Sequence, residues 1–497
     1  MKAYQKLERK FERLNRLQEA MSVLYWDMAA MMPAGGAEAR SEQLATLRGI
    51  HHEMLTDDEN VDLFAAAADG ASLGGWDRAN LEEMRRLWMH ATCVPSELVE
   101  ESSRRGSECE LVWRTARKDN DFARLQPYLQ KVLELGREIA TIKAEAFGVS
   151  PYDALLDQFE PGGKSEKIDL IFDDLAEFLP PFLEEVLEHQ ARQPAAVRPT
   201  GNFRPEQQKK LAHRLMEAWG FDFDHGRLDT SHHPFCGGYS QDVRLTTFYD
   251  EKNFLKGVMG VLHETGHALY EQRLPEKWRG TPVGSARGMS VHESQSLFVE
   301  MQVSRGRPFV EWASPLYRDA FDASGETWSV DNLNRVVTLV ERSLIRVDAD
   351  EVTYPAHVIL RYRLEKAMIA GELEVADLPD AWNEGMEELV GIRPDDDRDG
   401  CMQDIHWMDG TFGYFPTYTL GAMMAAQLYA AAAEQLGDID GLIRRGEFPV
   451  IIDWLTENVH RVGSSLTAEE ILSNATGSEL DASYFKDHLQ KRYLPQR

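Results

Sequence analysis

Apolar residues recur at steps of three and four along most of this chain, and that period commits it to helices. At the N-terminus Tyr4, Leu7, Phe11, Leu14, Met21 and Leu24 stand among Lys, Arg and Glu, the pattern of an amphipathic helix. Pro and two Gly in MMPAGG (31–36) interrupt the pattern before a second run from Ala37 to Ile50, so the chain opens on a helical hairpin whose first helix is expected to stop near Trp26-Asp27. The same period predicts helices over 79–90, 121–147 and 205–219, and over 166–190 with a break or kink at Pro180-Pro181, because proline has no N–H and crowds the preceding turn. It returns over 253–272, 291–305, 329–345, 352–371, 377–390 and 417–436. Only Phe221 to Asp250 reads differently: it mixes Gly, Pro and aromatics, and Val243, Leu245 and Thr247 alternate at period two, so a small sheet is expected there. The fold class is mainly α. The 497 residues would allow about three domains, but no internal repeat or Ser/Gly linker marks a boundary, so one domain over 1–497, with room for two lobes, is the simplest division.

Charge narrows the partners. Against 54 Lys and Arg stand 83 Asp and Glu, a net charge of -29 that repels phosphate backbones and anionic lipid, so neither nucleic acid nor membrane is an expected partner. Cys93, Cys109, Cys236 and Cys401 lie far apart with no CxxC pairing, which fits a reducing, cytoplasmic setting and argues against a disulfide scaffold or an all-cysteine zinc site. The charged N-terminus has no apolar core of a secretion signal, and the Ala- and Met-rich stretch Thr419 to Ala433 falls short of the roughly 20 apolar residues of a membrane span. It reads as a core helix.

Chemistry concentrates in HETGH. His263 and His267 are four residues apart, hence on one helical face, with imidazoles able to converge on one ion. Glu264 beside them can reach a water at the open position without being a ligand, as a general base must. The surrounding Phe254, Val258, Val261, Leu262 and Leu269 bury the helix, where two unpaired imidazoles would be costly. Tyr270 and Arg273 occupy the Gly and His positions of HExxHxxGxxH, which excludes a metzincin. A third ligand is therefore needed elsewhere, and GMSVHESQSLFVEMQ offers Glu293. His292 is its rival, but a one-residue step turns about 100° round a helix, so only one of the two faces the ion. The expected metal is Zn²⁺, with Co²⁺ or Mn²⁺ able to use the same ligands.

Beyond HETGH and HESQS the chain carries HPF at 233–235, DVRLT at 242–246, IRVDAD at 345–350 and GCMQDIHW at 400–407, in that order. In these strings it resembles the carboxypeptidase Taq family of metallopeptidases over essentially its whole length; WDMAAMMPAGGAEARSEQLATL and PYDALLDQFEPG are similar as well. The resemblance implies a large helical fold around a long, deep groove, like neurolysin and the angiotensin-converting enzyme relatives, a homodimer, and removal of single residues from peptides with a free C-terminal carboxylate. It favours Arg346 as the grip for that carboxylate, since guanidinium makes two parallel charged hydrogen bonds to it; on the residues alone, an ion pair with Asp348 or Asp350 serves nearly as well. It also implies that the segment of Arg244 closes one end of the groove, where the bland reading is an ion pair with Asp242. His233, His406, Tyr414 and Tyr418 are candidates for hydrogen bonds to substrate or to a developing oxyanion, or else for packing. An endo-oligopeptidase with the same metal site is the enzymatic alternative. An inactive peptide-binding scaffold is the other, and the presence of Glu264 argues against it.

Overall fold

Leu7, Phe11, Leu14 and Met21 form the buried face of the first helix, which runs Ala3–Ala30, a little past the expected stop, before the turn at Pro33 leads into Ala37–Leu55. The computed structural model describes residues 3–68 and 73–494. Together with the helices Glu59–Ala68 and Gly75–Thr92, the first helix encloses a small core of Leu7, Phe11, Leu14, Leu63, Phe64 and Met84. The main core is separate and runs from Cys109 to Tyr493.

The expected sheet lies within 221–250 as β1 (Gly226–Thr230), β2 (Phe235–Tyr239) and β3 (Asp242–Thr247). β3 is central, parallel to β1 and antiparallel to β2, with Leu245 opposite both Leu228 and Cys236. The first helix is fastened to this sheet. Ser22 Oγ donates to the carbonyl of Gly238 and accepts from its N–H, while Trp26 packs against the guanidiniums of Arg227 and Arg244, 4.8 and 4.3 Å from the ring centre.

Most of the expected helices are present, among them Phe122–Phe147, Pro205–Trp219, Phe254–Gln272, Tyr354–Ala370, Leu378–Val390 and Pro416–Leu436. Three differ. Ser165–Ala191 is not broken at Pro180-Pro181: Leu179, Phe182 and Leu183 are buried around the prolines, and the carbonyls deprived of donors are those of Ala176 and the exposed Glu177. The helix expected over 329–345 ends at Val337, because the side-chain amide of Gln190 takes both backbone groups of Val340, accepting from its N–H and donating to its carbonyl at 2.9 Å each. The helix expected over 291–305 is α-helical over Met289–Leu297 and widens to a π turn over Phe298–Ser304. The long helix Ser96–Asp119 gave no sequence signal, since it buries only Gly106, Cys109 and Ala116.

The HETGH helix Phe254–Gln272 lies between the sheet and Met289–Leu297, whose other side is covered by Pro416–Leu436. Phe254, at its N-terminal end, is enclosed by Phe203, Tyr317, Phe321 and Trp328, with ring centres 4.8–5.3 Å away. Truncating this fully enclosed ring leaves a large cavity. Phe254→Ala is expected to cost about 3–5 kcal/mol, read as a lowered denaturation midpoint without a change in the denaturant slope.

Candidate active site

One helical turn separates His263 from His267, and both present Nε2 to the same oxygen of Glu293, Oε2, at 3.8 and 3.4 Å. One ligand atom from each residue falls within 4.8 Å of the others, the one such group of His, Cys, Asp or Glu among the described residues. Tetrahedral ligands about 2.1 Å from an ion lie about 3.4 Å apart, so a divalent cation fits with little adjustment.

The opposite edge of each imidazole is fixed. Nδ1 of His263 meets Glu300 at 3.0 Å, and Glu300 is held by Arg305 Nη2 at 2.6 Å. Nδ1 of His267 meets Nδ1 of His292 at 2.7 Å, and Nε2 of His292 meets Glu271 at 2.9 Å. If His292 donates through Nε2 to Glu271, its Nδ1 accepts from His267. This network assigns the Nδ1 protons of both HETGH histidines and leaves their Nε2 lone pairs for a metal. With both ring nitrogens engaged, His292 orients His267 and stands outside the group of His263, His267 and Glu293.

The electrostatics also call for a cation. Burial lowers His263, yet the charges of Glu293 and Glu300 outweigh it and push the imidazole up to about 10, whereas burial pulls His267 down to about 4. The carboxylates draw positive charge to this point, as a proton or as a metal ion. Burial likewise raises the buried Glu264 carboxyl to about 7, with His263 opposing and Glu293 adding.

Glu293 owes its place to close contacts on three sides. The N-terminus of its helix is capped from afar: Ser290 N donates to Glu160 Oε2 at 3.1 Å and Met289 N to the carbonyl of Phe159 at 2.7 Å. A Cβ on Gly266 would stand 2.3 Å from the carbonyl oxygen of Gln295, and one on Gly421 2.7 Å from Cβ of Glu293. Glycine at both positions lets the two neighbouring helices approach the helix that carries Glu293.

Four of the remaining predicted residues come together. Arg346 lies over the ring of Tyr418 at 5.0 Å; the Tyr418 hydroxyl is 3.5 Å from Nε2 of His406; and the rings of Tyr414 and Tyr418 are 5.1 Å apart. The charge of Glu293 reaches both tyrosines, which are pushed up mainly by burial. Burial lowers His406 to about 4, so it is neutral at physiological pH. Arg346 does not pair with Asp348 or Asp350. It binds Asp404 Oδ1 through Nη2 (2.8 Å) and Nε (3.1 Å), while Asp348 takes Lys256, and Asp350 accepts from the N–H groups of Glu341, Val352 and Thr353. Arg244 makes the ion pair with Asp242, at 2.9 and 2.6 Å. His233 is exposed, and its carbonyl accepts from Ser231.

A family profile for carboxypeptidase Taq (M32) metallopeptidases matches residues 6–493. The chain belongs to this family. It is 37% identical to carboxypeptidase 1 of Bacillus subtilis over 489 residues, 97% of this chain and 96% of that one, and 38% identical to thermostable carboxypeptidase 1 of Thermus thermophilus over 488 residues, 94% of each. Among solved structures, metallocarboxypeptidase 1 of Trypanosoma cruzi superposes with a TM-score of 0.97 at 41% identity, covering 99% of this chain and 100% of that one. The M32 carboxypeptidase of Deinococcus radiodurans gives 0.94 at 36%, covering 99% of each. As a carboxypeptidase Taq family member the protein is a metal-dependent carboxypeptidase, a peptide hydrolase with a helical fold.

Sequence reasoning about this M32 chain did not single out Glu300, Glu271, Tyr354, Arg361 or Asp404. Glu300 had a signal, for it lies two helical turns after Glu293 on nearly the same face. Asp404 stands inside GCMQDIHW, but nothing in the sequence signals its pairing with Arg346, 58 residues away.

Glu293→Ala is expected to abolish tight metal binding, and His292→Ala to weaken it by about 10- to 100-fold, as measured by titration of the chelator-stripped protein. A larger loss from His292→Ala would give it the ligand role. Gly421→Ala should displace Glu293, cost about 1–3 kcal/mol and weaken metal binding. Gly49→Ala, with nothing within 4 Å of its new methyl, is the control and should be neutral or stabilising.

Proposed function

We propose that the protein removes single amino acids from the free C-terminus of peptides, with broad specificity, using Zn²⁺ held by His263, His267 and Glu293. The convergence of two Nε2 atoms on one Glu293 oxygen, with Glu264 beside it, carries this reading. Bound there, the cation would lower the pKa of a water toward 7 and polarise a carbonyl. Co²⁺ or Mn²⁺ would serve the same ligands. Glu264 takes the proton of the attacking water and returns it to the departing amine. Neutral His406, with Tyr414 and Tyr418, offers hydrogen bonds to the substrate and to the charge that develops on its carbonyl oxygen. Arg346 receives the terminal carboxylate, and the segments of Arg244 and His233 close the end of the groove.

Four free cysteines, two of them buried, support a cytoplasmic setting. No helix among the described residues is long and apolar enough to cross a membrane. The homodimer and the one-domain, two-lobed division belong to the same reading, the second supported by the separate small core of the N-terminal helices.

Glu264→Gln should retain metal and fold yet lose nearly all turnover, because the amide cannot accept the proton; wild-type kcat would remove Glu264 from the mechanism. Arg346→Ala should lower kcat/KM on free-acid peptides by about 2–4 kcal/mol, with little further loss on C-terminally amidated ones. Equal losses on both would make Arg346 structural. Efficient cleavage of amidated peptides at internal bonds would establish an endopeptidase.

A further inference from the structure

Behind Arg346 lies a second guanidinium that the mechanism above does not use. Arg361, on the helix Tyr354–Ala370, has no exposed surface, yet its Nε donates to Asp404 Oδ2 at 2.6 Å and its Nη1 to the carbonyl of His357 at 2.8 Å. Its plane packs 4.4 Å from the ring centre of Trp382, and Nη2 has no hydrogen-bond partner among the described residues. Asp404 therefore divides its carboxylate, with Oδ1 serving Arg346 and Oδ2 serving Arg361.

Two buried guanidiniums on one carboxylate leave one positive charge uncompensated. The neighbours do not cancel it: the charge of Glu293 reaches Tyr354 and Tyr418 beside Arg346, but its carboxylate is turned to His263 and His267. His357 and His406 are pushed down by burial to about 3 and about 4 and are neutral. Glu365, one turn after Arg361, accepts from the Tyr152 hydroxyl and from Trp407 Nε1 at 3.1 Å, and burial raises it to about 8, so it is mostly protonated near neutral pH. Burial lowers Arg361 itself only to about 10, so it stays charged. Burial alone would raise Asp404, but the charges of Arg361 and Arg346 overcome it and hold the carboxyl well below the usual range. A surplus charge this far from water is costly until an anion arrives. Arg346 keeps one nitrogen off Asp404, its Nη1, which lies 3.5 Å from the hydroxyl of Tyr354, and it is 7% exposed, so the anion can meet Arg346 but not Arg361.

We propose that Arg361, without touching substrate, sets the selectivity for a free C-terminal carboxylate by occupying the second oxygen of Asp404 and so keeping one uncompensated positive charge at Arg346. With Arg361 uncharged, Arg346 and Asp404 would close into a neutral pair with little reason to take a second carboxylate. Arg361 is a positioning residue, and its assignment rests on the reading of Arg346 given above.

The experiment measures kcat and KM separately on one peptide in free-acid and amidated form, for the metal-loaded wild type, R361M, R361K and the double variant R361M/D404N, with melting temperature and metal content determined for each. R361M is expected to raise KM for the free acid by about 10- to 100-fold, with kcat nearly unchanged and the amide unaffected. R361K should keep most of the discrimination. The double variant should recover it, since removing the charge of Asp404 again leaves Arg346 uncompensated, a rescue that a purely structural role does not provide. Wild-type discrimination in R361M, or no recovery in the double variant, overturns the proposal. If R361M fails to fold, the double variant decides alone, retained discrimination supporting the proposal and lost discrimination overturning it. If the wild type shows no preference for the free acid, or Arg346→Ala loses equally on free acid and amide, the fault lies with the reading of Arg346 itself.

Discussion

The convergence of His263, His267 and Glu293 depends on how closely the helix Met289–Leu297 can approach its two neighbours. A side chain on Gly266 or Gly421 would collide with backbone or with Glu293 itself, so the backbones meet there without intervening side chains. That proximity lets Glu293 face His263 and His267 from a separate helix, and it explains why so many small and polar residues are buried here, including Ser290, Ser294, Ser296 and Thr265. The space between these helices is too narrow for a conventional Leu- and Phe-filled interface, and the hydroxyls of Thr265, Ser294 and Ser296 donate to the helix carbonyls of Val261, Val291 and Glu293 at 2.6, 2.7 and 2.6 Å.

Beyond the cluster, buried charge is organised in small closed groups. Glu300 joins His263 to Arg305. Farther on, Glu351 is gripped by His488, Arg492 and Tyr493 from the last helix, and Arg492 also donates to the carbonyl of Gln302 in the π turn at 2.7 Å. The C-terminal helix therefore satisfies part of the backbone that the widened turn leaves without regular partners. The group of Arg346, Asp404 and Arg361 is the exception, two guanidiniums on one carboxylate in a chain whose net charge of -29 sets its overall field against the anionic end of a peptide.

What the sequence made legible was what is periodic or adjacent. The apolar period yielded most helices, period two located the sheet, and four-residue spacing joined His263 to His267. Angular position on a helix follows from residue number, which let only one of Glu293 and His292 face the histidines. What escaped depended on distant partners. Gln190, from 150 residues away, takes the backbone of Val340 just beyond a helix that ends at Val337, and Asp404 displaces the local acids as the partner of Arg346. Ser96–Asp119 escaped for a different reason: its buried face consists of Gly106, Cys109 and Ala116, too small to mark an apolar stripe.

The cap on the ligand helix bears on how the molecule assembles. Glu160 and Ser290 are 130 residues apart, and the third wall of the site, Pro416–Leu436, follows more than a hundred residues later still. Long-range contacts of this kind form slowly, after the loops between them have closed. In a zinc finger the ion drives folding of a short chain. Here Glu293 cannot be presented to the two histidines until three distant segments have docked, so His263, His267 and Glu293 converge only in a nearly finished protein, and their convergence reports completed folding instead of nucleating it.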